Sequence, residues 1–252
     1  MSFELPDQDR YISASELNTR IFGKYEVDKP DSRIESKLFK LQTLAGCLRK
    51  SDSEFRIDTV NLGILKDKRI LDLGCGSKKS SLSDSGGRYY RTFEPWLCRG
   101  LQEIGAKPIG VDINDLSGEE FEHYQFDFTA ENTLNIFQED SFDAIVIDFV
   151  LGVWGSPTLM DILDRRRISH SEFERRLYTK IGKLVKEGGI VTNEYNFFRK
   201  ENGRFLLLNP EIFEPNCFQP QENKTFEGKA RIANVQTELA ALNSEVDTKN
   251  DS

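Results

Sequence analysis

The sequence predicts an α/β fold: a doubly wound, mostly parallel sheet with an N-terminal helical extension. Five short apolar runs each stop on a carboxylate: Arg69-Ile-Leu-Asp72, Pro108-Ile-Gly-Val-Asp112, Tyr124-Gln-Phe-Asp127, Ala144-Ile-Val-Ile-Asp148 and Ile190-Val-Thr-Asn-Glu194. Longer amphipathic stretches separate them, the pattern of parallel strands joined by helical crossovers. The first run opens into a glycine loop, Asp72-Leu-Gly74-Cys75-Gly76-Ser77. Ligands of an open parallel sheet sit at the carboxyl ends of its strands. The five acids are therefore expected on one edge, facing a ligand that is polyhydroxylated, cationic or both.

Taken in order, residues 1–66 read as a polar, helical extension or cap over the start of the sheet. Its best helix runs from Ser32 to Lys50, with Ile34, Leu38, Leu41, Leu44 and Leu48 on one face. Residues 67–218 form the expected core. Within it, Pro95 to Ile104 reads as a short helix, with proline in its first turn and Gly105 as its stop. Ser171-Glu-Phe-Glu174 fits a capping box. It would open a helix with Phe173, Leu177, Ile181 and Leu184 inward, ended by Gly188-Gly189. Arg204 to Leu208 is a further strand candidate before Pro210 and Pro215 interrupt. Residues 219–252 form a polar segment in which Ile232, Val235, Leu239, Leu242 and Val246 mark an amphipathic helix ahead of a flexible tail. Its two heptads fall short of the roughly three or four that a coiled coil needs.

A chain of 252 residues suffices for one α/β domain with decorations. The net charge of -8 disfavours broad contact with nucleic acid or anionic membrane. No apolar run approaches the roughly 18 residues that span a bilayer, and Met1-Ser-Phe-Glu-Leu-Pro-Asp lacks a signal-peptide pattern. Cys47, Cys75, Cys98 and Cys217 have neither metal nor redox spacing. These observations lead us to expect a cytoplasmic protein with free thiols, no bound metal and no membrane contact.

Glycines let a backbone turn sharply and let a ligand approach where a Cβ would stand. The acid ahead of them suits an ammonium or sulfonium group. A dinucleotide loop needs glycine at the sixth position of G-x-G-x-x-G, and Lys79 stands there. That disfavours a nicotinamide-dependent oxidoreductase.

The segment Ile70-Leu-Asp72-Leu-Gly74-Cys75-Gly76 resembles motif I of class I S-adenosylmethionine-dependent methyltransferases, whose core is Rossmann-like. Gly110-Val-Asp112-Ile113 resembles their second motif, Phe126-Asp127-Phe128 their third, and Phe142-Asp-Ala-Ile-Val-Ile-Asp148 their fourth. Val185-Lys-Glu-Gly188-Gly189-Ile-Val is similar to the segment that leads into their fifth strand. The resemblance covers about half of the chain and implies S-adenosylmethionine as cofactor. Asp72 would organise its methionine end, with Gly74, Cys75 and Gly76 letting it pass. Asp112, followed by Ile113, would accept from the ribose hydroxyls. Asp127 and Phe128 would meet the adenine, and Asp148 and Phe149 would border the sulfonium and the acceptor.

The chain departs from the family pattern after motif I. Lys78 replaces the third glycine, and 36 residues separate Gly76 from Asp112, against about 20 usually. The surplus, Ser77 to Glu94, leaves the sheet beside the expected ligand and carries Arg88, Tyr89, Tyr90 and Arg91. Methyl transfer is an in-line displacement that depends mainly on alignment, so a general base is optional. The weak candidates for a base are His170, Glu194 and Asp148, followed by His123 and Glu94. Asp148-Phe-Val-Leu151 lacks the Asp/Asn-Pro-Pro-aromatic quartet of amino methyltransferases, which favours a small-molecule acceptor. A protein acceptor and a non-catalytic cofactor-binding subunit are the alternatives. Asp164-Arg165-Arg166-Arg167 reads as a solvated helix end, with anion binding the rival reading.

Overall fold

A computed structural model describes residues 12, 14–27, 32–48, 62–78, 93–147, 157–193, 196–208 and 235–243. Strand β1 (Arg69–Leu73) lies inside a seven-stranded sheet of order β3-β2-β1-β4-β5-β6-β7. Its neighbours are β2 (Lys107–Asp112) on one side and β4 (Phe142–Ile147) on the other, both parallel to it. β3 (Glu122–Gln125) continues the parallel array beyond β2, and β5 (Val185–Asn193) continues it beyond β4. The chain thus reverses its direction of travel across the sheet between β1 and β4, and that switch point is where open α/β sheets bind ligands.

Both faces of the central strands are covered, so most of their side chains are apolar. Ile70, Ala144, Val146 and Ile190 point into one core, packed by α1 (Ala14–Lys24), α2 (Ser32–Leu48) and α3 (Trp96–Glu103). Leu71, Leu73, Ile145, Ile147 and Val191 point into the other, packed by α5 (His170–Leu184), α4 (Pro157–Arg166) and a final helix, α6, over 235–243. The fold class expected from the sequence, an α/β doubly wound and mostly parallel sheet with N-terminal helices, is the one observed. The N-terminal helices cover a face of the sheet. Leu38 and Leu41 of α2 press on Gly100 of α3, where a Cβ would collide with both.

Four local details differ from expectation. The capping residue of α5 is Ser169, whose hydroxyl accepts from the Glu172 N–H at 3.2 Å, two residues before the expected box. Glu174 pairs with His170 at 3.4 Å instead of reaching back to Ser171. Helix α5 passes directly into β5 at Val185, so Gly188-Gly189 lies inside the strand, in a bulge between the Phe142 and Ala144 pairings. A Cβ on Gly189 would meet the Lys186 and Asp143 carbonyls. Finally, β6 (Phe197–Glu201) precedes β7 (Arg204–Leu207) in an antiparallel hairpin turned by Asn202 (φ 53°) and Gly203 (φ 77°). Left-handed conformations at both positions match the Asn-Gly turn that joins twisted strands.

Candidate functional site

The glycine loop is built at the switch point by main-chain contacts. Gly74 turns at φ 74°, and its N–H and that of Cys75 both donate to the Val111 carbonyl, at 2.8 and 3.1 Å. Gly76 follows at φ 90°, and its N–H donates to Asp112 Oδ2 at 3.0 Å. The other oxygen, Asp112 Oδ1, accepts from the main-chain N–H and side-chain amide of Asn114, both at 2.8 Å. The carboxylate at the end of β2 therefore pins the loop that follows β1, and all its donors are neutral. Asp72 lies within β1, 3% exposed, and accepts from the Cys98 thiol at 3.5 Å.

Cys75 and Cys98 are buried around Gly110, where a Cβ would strike the Cys75 sulfur and touch that of Cys98. Burial pushes both thiols above the usual cysteine range, and the negative charge of Asp72 adds to the effect. They are packing groups rather than nucleophiles. Ile113, next to Asp112, is 44% exposed. It is an apolar surface at the strand end, next to Asp112.

Gly76 serves a second purpose, not visible in the sequence. A Cβ there would overlap the Phe93 carbonyl oxygen. The chain that departs after Ser77 thus returns at Phe93 against the loop it left. Both ends of the excursion are tied to one buried arginine. Arg99 donates to Glu94 Oε2 at 2.5 Å and to both Glu119 oxygens, at 2.7 and 3.0 Å. Lys78 approaches Glu119 at 3.8 Å. The guanidinium lies 4.2 Å from the ring of Tyr25 and 4.6 Å from that of Trp96. Glu94, weighed as a base, is committed to this ion pair. Arg88, Tyr89, Tyr90 and Arg91 fall outside the described residues.

Asp127 lies two residues beyond β3, beside the β2 end, where the Phe126 N–H donates to the Asp112 carbonyl at 3.1 Å. Its carboxylate is engaged on both oxygens. Oδ1 accepts from the Thr129 N–H and hydroxyl, and Oδ2 accepts from Arg166 at 2.7 Å. Arg166, expected on a solvated helix end, in fact ties α4 to the β3 loop. Phe128 turns away toward Phe173, 6.4 Å between centroids. The structure therefore gathers Asp72, Gly74, Cys75, Gly76, Asp112 and Ile113 at one place. It sets Asp127 at their margin and turns the Phe128 ring away from them. Asp148, Phe149 and Glu194 lie outside the described residues.

His170 sits at the start of α5, and its bond to Glu174 raises the imidazole above its ordinary value. His123 lies on β3, the outer strand of the sheet, with Nδ1 at 2.8 Å from the Phe121 carbonyl. Among the described residues no cluster of three or more metal-ligating groups occurs, and no helix is long and apolar enough to cross a membrane.

Fold and site define a Rossmann-like α/β protein with a carboxylate-flanked glycine loop at its switch point. No family model and no curated protein matches the chain. Solved structures with a similar arrangement include an S-adenosylmethionine-dependent methyltransferase from Mesorhizobium loti, 17% identical, covering 59% of this chain and 60% of its own, with TM-score 0.32. A TehB-like SAM-dependent methyltransferase from Corynebacterium glutamicum is 14% identical over 71% of each chain, with TM-score 0.33. The 1,6-didemethyltoxoflavin-N1-methyltransferase of Burkholderia thailandensis, solved with S-adenosylhomocysteine, is 12% identical over 79% of this chain and 72% of its own, with TM-score 0.33. The chain spans 60% of the length of the Mesorhizobium loti structure, and 52% and 53% of the length of two further similar structures, from Methanosarcina mazei and Listeria monocytogenes. Likenesses of this size carry no conclusion about activity.

Proposed function

We propose that this protein is a methyltransferase that uses S-adenosylmethionine and acts on a small-molecule acceptor. One observation carries the reading: two buried carboxylates, Asp72 and Asp112, on adjacent strand ends with the Gly74–Gly76 turn between them. The donor set fits the cofactor. Asp72 would attract the ammonium of its methionine end, and Asp112 would accept from two ribose hydroxyls in exchange for its Asn114 donors. Exposed Ile113 offers an apolar wall to the base. When bound, the cofactor supplies an electrophilic methyl group on a sulfonium; the protein's contribution is alignment and exclusion of water. The small-molecule acceptor is favoured by Asp148-Phe-Val-Leu151, which is not the quartet of amino methyltransferases.

Titration calorimetry with S-adenosylhomocysteine tests the reading. The folded protein should bind it, and Asp112→Ala should weaken binding by at least tenfold. No heat of binding from the wild-type protein would refute it. Methyl-labelled cofactor with a cell extract then separates an enzyme from a cofactor-binding subunit, since only the former transfers label.

A further inference from the structure

A cleft of about 270 Å³ opens between helix α5 and the loop that follows β3. Phe173, Arg176, Leu177 and Lys180 recur along α5 at three- and four-residue steps and form one side of it. The other side is the loop from Phe128 to Asn135. The floor is apolar: Phe173, Leu177 and Leu134 belong to the core on this face of the sheet, with Phe128 and Ile168 packed against it. Among the described residues, none of the glycine loop, β1 or β2 lines the cleft.

The loop wall is held in shape by its own bonds. Thr129 donates to Asp127 Oδ1 at 2.5 Å and accepts from Arg166 at 2.7 Å. Thr133 donates to the Ala130 carbonyl at 3.0 Å, and Asn135 Nδ2 donates to Asn132 Oδ1 at 3.0 Å. Asn132 turns at φ 65°, a left-handed conformation that asparagine tolerates. A preformed hollow with an apolar floor and a few polar groups is the ordinary form of a small-molecule site. Charge narrows the occupant. The charged residues of the lining are Glu131, Arg176 and Lys180. Glu131 pairs with Arg176 at 2.8 Å, and Glu172 holds the same guanidinium at 2.6 Å. Lys180 is half-buried and pairs with no carboxylate among the described residues. The cleft therefore carries one uncompensated positive charge.

We propose that this cleft is a second small-molecule site, apart from the glycine loop, and that it takes an aryl anion: one aromatic ring carrying a carboxylate or a phosphate. The ring would lie on Phe173 and Leu177, beside Phe128. Those two phenylalanine rings stand 6.4 Å apart between centroids, tilted by 36°. A third ring would extend the pair in the tilted geometry that aromatic groups prefer. The anionic group would meet Lys180 in a charge-assisted hydrogen bond. Size agrees with this class, because the cleft falls just below the range of about 300–1,000 Å³ that holds drug-sized ligands. One ring with a short acidic arm fills such a space. The site uses none of the residues assigned to the cofactor except Phe128, whose ring is turned into the cleft.

The test is ligand-observed NMR on the full chain with phenylpropionate, phenyl phosphate and the neutral phenylpropanamide, each at millimolar concentration. At least one anion should bind, and the tighter of the two identifies the head group. The neutral amide should bind at least fivefold more weakly, and Lys180→Gln should reduce the anion to the level of the amide. Ala130→Trp, which fills the cleft, should abolish binding of all three probes. Binding of no probe, equal affinity for anion and amide, or anion binding unchanged in Lys180→Gln would each overturn the proposal. Retained binding in a folded Ala130→Trp would overturn it too; where that variant does not fold, Lys180→Gln decides. Saturating S-adenosylhomocysteine should leave the probe bound. Displacement of the probe by this adduct would place the cleft within the cofactor site and overturn the inference. Probe binding by a protein that ignores the adduct supports this site while refuting the methyltransferase reading.

Discussion

At the residue scale, Gly76 and Arg99 show how one position can be fixed by a contact far along the chain. Gly76→Ala would combine a left-handed φ with a clash against the Phe93 carbonyl. It should lower stability by about 1–3 kcal/mol and loosen cofactor binding, as read by urea denaturation and adduct titration. Arg99→Met keeps bulk but removes the guanidinium that joins buried Glu94 and Glu119. Breaking such a pair costs about 3–5 kcal/mol, so the urea midpoint should fall sharply. Loss of less than 1 kcal/mol, on the scale of an exposed pair, would contradict the burial of this ion pair. The glycines and acids were legible because backbone geometry and strand-end chemistry restrict residue type. The Glu94–Arg99 and Asp127–Arg166 pairs emerge only from the fold, because the sequence does not say which charges will meet.

At the element scale, α6 couples pH to stability. Glu238 is raised in the folded protein from its ordinary 4.5 to about 7. The folded state thus binds the proton more tightly than the unfolded chain, and this contribution is complete below about pH 4.5. It declines as pH rises and is gone above about 7, a change on the order of 3 kcal/mol. Denaturation at pH 5 and pH 8 should show a larger pH dependence for the wild type than for Glu238→Gln, in that direction. Equal dependence would remove Glu238 as the cause. Helix α6 and helix α2 were both visible as apolar stripes, but Glu238 and Lys40 sit within those stripes, and charges there pass for exposed positions. Asn202-Gly203 was an available hairpin signal for β6. The strand it follows, Phe197-Phe-Arg-Lys-Glu201, ends in three polar residues and so lacks an apolar strand pattern of its own.

At the scale of the whole molecule, the cofactor reading has a stability consequence. A ligand that binds only the folded state stabilises it by about 2.7 kcal/mol at a hundredfold excess over its dissociation constant. S-adenosylhomocysteine should therefore raise the melting temperature of the wild-type protein, and Asp112→Ala should abolish most of that rise. An unchanged melting temperature at saturating adduct would count against the site. The same experiment reads the N-terminal helices, because α1 and α2 share a core with Ile70, Val146 and Ile190 and cannot melt separately without exposing the sheet.

The sequence by itself determined the alternation of strands and helices, the glycine loop and the acids at the ends of β1 and β2. Each of these is local: a run of apolar residues, a turn that needs left-handed backbone, a carboxylate where a strand stops. Only the tertiary structure decided that Phe93 closes on Gly76, that Arg166 holds Asp127, and that Lys40 and Glu238 meet at Asn193 from opposite ends of the chain. Those pairings join residues separated by 39 to 153 positions or rest on main-chain contacts. Partner choice over such distances is set by how helices pack on the two faces of the sheet, which no local pattern encodes.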